Sequence, residues 1–175
     1  MNASTQLLAG KTAFVTGAGA NIGRGIALEM AAQGADVYFA DRDSARCEKL
    51  EEEIGELGRR TKGFVVDLSS EKQIAALYDS LEAEGVRIDT LVNNVATRVE
   101  IADDSALWWQ QWQRTYETNV FGPCYLTKLV VDSMLERGTS GNVLFITADE
   151  TTVLWNPEDV TPTSFQDPQN QPHAE

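Results

Sequence analysis

The sequence predicts an α/β fold, a doubly wound parallel sheet of about five strands, on three observations. Short apolar segments recur five times along the chain, and amphipathic stretches of helical length separate them. The first apolar segment also runs into a glycine-containing turn that opens a helix. Segments that are apolar on both faces suit a parallel sheet covered by helices on each side.

Strands are expected at residues 12–16, 36–40, 62–66, 88–92 and 142–147, with helices at 22–33, 44–57, 70–84, 105–117 and 120–136. In the first helix Ile22, Ile26, Met30 and Ala31 form one stripe at helical spacing, which should face the sheet. Ser70 with Gln73 fits a capping box, and Gly34, Gly58, Gly85 and Gly138 stand where helices need a left-handed stop. Glu48, Lys49, Glu51, Glu52 and Glu53 are expected to form a solvated helix face.

The periodic pattern makes residues 1–155 one domain, a size able to bury a sizeable core. Residues 156–175 are polar and carry four of the five prolines (Pro157, Pro162, Pro168, Pro172), so a disordered tail is expected there. A formal net charge of -13 repels phosphate backbones and anionic membranes, which argues against both partners. Backbone amides can still hold a small anionic cofactor. No apolar run approaches the roughly 18 residues that span a bilayer. The first residues lack the start of a secretory signal, so the cytoplasm is the expected compartment. Cys47 and Cys124 fall in different helices and form no disulfide framework, and a single histidine, His173, leaves no basis for a metal site.

The strand-turn-helix at residues 12–33 places backbone amides at a helix N-terminus, where partial positive charge collects. Gly17 and Gly23 permit close approach of a pyrophosphate, and Asp41 supplies an acid about 20 residues on, the combination expected of a Rossmann-type dinucleotide fold.

Thr16-Gly-Ala-Gly-Ala-Asn-Ile-Gly23 resembles the Thr-Gly-x-x-x-Gly-x-Gly turn of the short-chain dehydrogenase/reductase family, with Asn21 replacing the middle glycine. Asn tolerates left-handed backbone angles better than most residues. The resemblance extends to Asp67, to Asn93-Asn-Val-Ala96 in place of Asn-Asn-Ala-Gly, and to Asn119. It implies NAD as cofactor, with NADP as the alternative, held by Gly17, Asn21, Ile22, Gly23, Asp41, Arg42, Asp67, Leu68, Asn94, Val95 and Ala96. Ile22 would lie beside the cofactor or else in the core. Asp41 would bind the adenosine ribose or cap the helix from Ser44. Asp67 would meet the adenine amino group or cap the following helix, and Asn93 would brace the sheet. Arg24 and Arg42 are the residues that could reach a 2′-phosphate.

By the same resemblance, the family transfers hydride between nicotinamide and an alcohol or carbonyl, using Ser, Tyr and a Lys four residues after the Tyr, assisted by an Asn. Of these only Asn119 has a counterpart. Ala148 stands at the serine position, and Thr147 would point to the opposite face. Val160 and Thr161 fall where the Tyr is expected, and no Lys follows Lys128. Tyr125 and Lys128 are three apart rather than four and belong to a different helix. Relative to the family the chain reads as incomplete at its C-terminal end, leaving 143–146 as an uncovered apolar edge. The helix from Val120 then lacks the neighbour with which members of the family build a dimer interface, and a homo-oligomer stays open. Trp108, Trp109 and Trp112 would flank a substrate or anchor a core or interface. Three readings follow: an oxidoreductase impaired as written, a non-catalytic nucleotide-binding or interaction protein, or a fragment without function.

Overall fold

The computed structural model describes residues 6–97, 105–146 and 152–155. Strands β1 (Thr12–Thr16), β2 (Asp36–Asp41), β3 (Thr61–Val65), β4 (Thr90–Asn93), β5 (Asn142–Ile146) and β6 (Thr152–Trp155) alternate with helices α1 (Asn21–Ala32), α2 (Ser44–Glu56), α3 (Glu71–Ala83), α4 (Ser105–Tyr116) and α5 (Gly122–Glu136). The sheet order is β3-β2-β1-β4-β5-β6. The first five strands pair in parallel, as a doubly wound fold requires. The order reverses between β1 and β4, which opens a crevice at the strand ends.

Alternation along the strands distributes the core to both faces. Phe14, Ala40, Leu91 and Val143 pack with α3 and α5 residues such as Leu77, Leu81, Leu126 and Met134. Ala13, Val15, Val37, Phe39 and Val92 pack with α1 and α2 residues such as Ala27, Ala31, Leu50 and Ile54. Neighbouring strand residues point to opposite faces, so one apolar run serves two layers.

Several expectations change. The apolar edge at 143–146 is not bare, because β6 pairs antiparallel with β5 from Val143↔Trp155 to Ile146↔Thr152. The buried stripe of α1 is Gly23, Ala27 and Ala31, flanked by Ile26 and Met30, while Ile22 is 65% exposed. Small residues win because α1 lies so close to the glycine turn that a Cβ at Gly23 would sit 2.3 Å from the Gly17 carbonyl oxygen. The charged face of α2 is only partly solvated: Glu53 is clamped by Arg24, and Glu51 accepts the Gly63 amide. The capping box is half formed. Ser70 accepts the Gln73 amide, but the Gln73 side chain accepts from Asp67 rather than returning to Ser70.

The expected gap between the last two helices is a π-helical turn at Glu117–Phe121 that joins α4 to α5. Gly34, Gly58, Gly85 and Gly138 all take positive φ at the helix ends, as the sequence predicts. The tail at 156–175 lies outside the described residues.

Candidate functional site

A cleft of about 430 Å³ opens at the carboxyl ends of the parallel strands, where open α/β sheets collect ligands. Its lining includes all eleven residues singled out for a cofactor: Gly17, Asn21, Ile22, Gly23, Asp41, Arg42, Asp67, Leu68, Asn94, Val95 and Ala96. Sequence reasoning missed Ala20, Arg46, Val66, Thr97, Arg114 and Thr118, which complete the wall. Arg114 and Thr118 come from α4 and the π turn, and no local motif announces that those elements return to the cleft.

The floor is the start of α1. Ala20 provides no side-chain cap, and the first turn holds no acidic residue. The next two helices differ: Asp43 caps α2 and Ser70 caps α3. The first amides of α1 therefore combine dipole and unfilled donors in the cleft wall. Asn21 has φ 48, the left-handed geometry that lets it replace glycine. Gly17 also takes positive φ, and a Cβ there would lie 2.9 Å from the Val95 backbone.

Thr16 is the hub that joins the two halves. Its hydroxyl is buried and accepts the amides of Asn94 at 2.9 Å and Val95 at 3.1 Å. The Asn94 side-chain amide donates to the carbonyls of Thr16 at 3.0 Å and Gly17 at 3.2 Å. Asn94 thus fastens the turn while lining the cleft. Asn93 donates from its amide to Thr127 at 3.0 Å, bracing β4 against α5.

Asp41 ends β2 with its carboxylate held by the Gly19 amide at 2.8 Å and the Asp43 amide at 3.1 Å. It does not cap α2, since Asp43 does so by accepting the Arg46 amide. Gly19 is a further residue that sequence reasoning passed over. A Cβ there would come within 2.7 Å of the Asp41 carboxylate.

Arg24 is turned away: its guanidinium makes a two-pronged contact with Glu53 at 3.0 and 2.7 Å. That pair holds the Glu53 carboxyl below its ordinary value. Arg42 and Arg46 remain on the cleft wall. Behind it, burial pushes the Cys47 thiol up to about 11, with the Asp41 charge adding to the effect.

Asp67 accepts the Ser69 hydroxyl at 2.7 Å and the Ser69 amide at 2.9 Å, and its second oxygen lies 3.4 Å from Arg114. The Ser69 bonds lower its carboxyl first, and the Arg114 and Arg42 charges add to this. Ser70, not Asp67, caps α3.

Asn119 lies on the π turn and pairs with the backbone of Thr97. Its carbonyl accepts the Thr97 amide at 2.7 Å and its amide donates to the Thr97 carbonyl at 2.8 Å. Residues 147–151, which include Thr147 and Ala148, lie outside the described residues, as do Val160 and Thr161. Lys128 is paired with Asp132, Tyr125 packs against the α3 and α5 layer, and neither lines the cleft.

Trp108, Trp109, Trp112, Tyr116 and Phe121 are all exposed and line a separate groove along α4. They are therefore not core anchors. No helix among the described residues is long and apolar enough to cross a membrane.

The sequence matches the family model for short chain dehydrogenase over residues 11–156. It is 34% identical over 147 residues to 7alpha-hydroxysteroid dehydrogenase of Escherichia coli (strain K12), covering 84% of this chain and 56% of that protein. A solved 7 alpha-hydroxysteroid dehydrogenase complexed with NADH and 7-oxo glycochenodeoxycholic acid superposes with TM-score 0.74 at 34% identity, over 84% of this chain and 56% of that one. A metagenomic short-chain oxidoreductase in complex with NADP gives TM-score 0.72 at 28% identity, over 79% and 62%. The chain thus spans little more than half the length of these relatives.

Proposed function

Since this chain belongs to the short-chain dehydrogenase family, we propose that its cleft binds a nicotinamide dinucleotide, NAD in preference to NADP. The observation that carries this reading is the uncapped start of α1 opening into a cleft that also holds Asp41 and Asp67. The amides of Asn21, Ile22 and Gly23 would take the pyrophosphate, with Gly17 leaving room for its approach. Asp41, fixed by the Gly19 amide, would accept the adenosine ribose hydroxyls and repel a 2′-phosphate. Asp67 and Leu68 would meet the adenine, and Asn94, Val95 and Ala96 would run toward the nicotinamide half. Arg42 and Arg46 keep NADP as the second cofactor, whereas Arg24 is committed to Glu53.

Bound nicotinamide supplies or accepts a hydride. The residues of this chain bind and orient it, but residues 1–175 provide no acid-base partner for an alcohol or carbonyl. Ala148 carries no hydroxyl, and no Tyr or Lys occurs after Lys128. A tyrosine ionises near pH 10 unless a cation lowers it, so the pair has no simple substitute. On this reading these residues bind the dinucleotide without turnover, and a small alcohol or carbonyl substrate would need acid-base groups of the kind the family supplies as Ser, Tyr and Lys.

Calorimetric titration with NADH and NADPH tests this reading, combined with a hydride-transfer assay on simple alcohols. Saturable NADH binding, weaker NADPH binding and no turnover are expected. Lack of NADH binding at millimolar ligand would remove the cofactor assignment, and turnover would remove the binding-only assignment.

A further inference from the structure

The wall of the cleft at Asp67 offers more than a carboxylate. Asp67 Oδ1 is occupied twice, by the amide and hydroxyl of Ser69, and the Asp67 amide is committed to Gln73. Only Oδ2 remains to read a ligand, and Arg114 Nη2 stands 3.4 Å from it. Both residues line the cleft. Arg114 rises from the last turn of α4, and its side chain is 65% exposed, so it can turn toward a ligand without breaking a buried network. A guanidinium carries five N–H donors, and the Asp67 contact uses a small part of that set.

An acceptor and a donor therefore stand side by side. A carboxylate alone accepts the amino group of a 6-aminopurine but opposes the carbonyl oxygen of a 6-oxopurine, acceptor against acceptor. With a guanidinium beside it, the 6-oxo oxygen can accept from Arg114 while the adjacent ring N–H donates to Asp67. Guanidinium donors meet the O6 of a 6-oxopurine in this way elsewhere, and carboxylates accept from N–H groups on base edges.

Resting on the dinucleotide reading of the cleft, we propose that Arg114 is a specificity-determining residue that broadens base recognition from adenine to 6-oxopurines. The alternative, an idle surface ion pair, would contribute little to any ligand. The two differ in base selectivity.

The test compares the unmodified chain, Arg114→Ala and Arg114→Lys, each titrated with NADH and with the reduced hypoxanthine analogue of NADH. The unmodified chain should bind the two within about tenfold of each other. Arg114→Ala should weaken the analogue about tenfold more than it weakens NADH, the scale of one charged hydrogen bond. Arg114→Lys, which keeps a donor, should restore part of the analogue's affinity. Thermal unfolding of each variant shows whether the fold survives, and the selectivity ratio would not move through a general loss of stability. The inference fails if Arg114→Ala shifts both ligands equally or neither, or if the unmodified chain already rejects the analogue by more than about tenfold. If the unmodified chain binds NADH but shows the wrong selectivity, Arg114 loses this role and the cofactor reading stands. If it binds neither ligand, both fall.

Discussion

The cleft and the α4 helix are adjacent, yet they are built on opposite principles. Around the cleft, polar groups are tied to backbone partners: Thr16 to Asn94 and Val95, Asp41 to Gly19 and Asp43, Asp67 to Ser69. Along α4 and the π turn, Trp108, Trp112, Tyr116 and Phe121 stack in succession on one another, with ring centroids 5.7, 6.0 and 6.5 Å apart. Trp109 is 67% exposed. A binding site needs preorganised donors and acceptors held by a rigid surround, and the first region has them. The second has apolar area without a fixed surround. Substitutions should therefore matter sharply in one region and hardly at all in the other.

The largest effect is expected from Gly23→Ala. The new Cβ would meet the Gly17 carbonyl at 2.3 Å and the Asn94 side chain at 2.4 Å, and the backbone contact cannot swing aside. A loss of about 1–3 kcal/mol in urea unfolding is expected, typical of overpacking, together with loss of NADH binding. Asp41→Ala should keep the fold but weaken NADH by roughly tenfold to a hundredfold in calorimetry, since it removes charged hydrogen-bond acceptors. Equal binding by the two proteins would separate Asp41 from the site.

Asn119→Ala strips both bonds to Thr97 and should lower unfolding free energy by about 1–2 kcal/mol. A smaller effect should appear in acid. The carboxyls of Asp67 and Glu53 are held below their ordinary values of 3.8 and 4.5, chiefly by Ser69 and Arg24 respectively. A depressed carboxyl adds stability above its unfolded pKa and loses it as pH falls through its folded pKa. Acid unfolding should therefore steepen below about pH 4, and Asp67→Asn with Glu53→Gln should flatten that limb. At the small end, Trp109→Gln should change stability by less than about 0.5 kcal/mol and leave NADH binding untouched. A large loss from it would contradict the division between the two regions.

Most of the fold was legible because strand and helix periods are local signals. The strand at 12–16, the four glycine stops and the left-handed Asn21 all follow from residue chemistry within a few positions. The cleft lining was legible through the glycine turn and the acids that follow successive strands. What escaped depended on distant partners. The preference for Gly23, Ala27 and Ala31 over Ile22 on the buried face of α1 reflects how close the turn lies, which periodicity does not encode. The inward role of Glu53 required Arg24 on another helix. Arg46 and Arg114 became visible as wall residues, and Gly19 as the partner of Asp41, only when the elements were brought together. The sixth strand escaped for a similar reason: Thr152–Trp155 is too short to be distinguished without its partner β5.

The claim that the polar cleft, and not the aromatic face, is the ligand site is tested most directly by amide hydrogen exchange with and without saturating NADH. Added protection is expected at residues 17–23, 41–43, 67–69 and 94–97, with residues 107–112 unchanged. Protection confined to 107–112, or none anywhere, would contradict it.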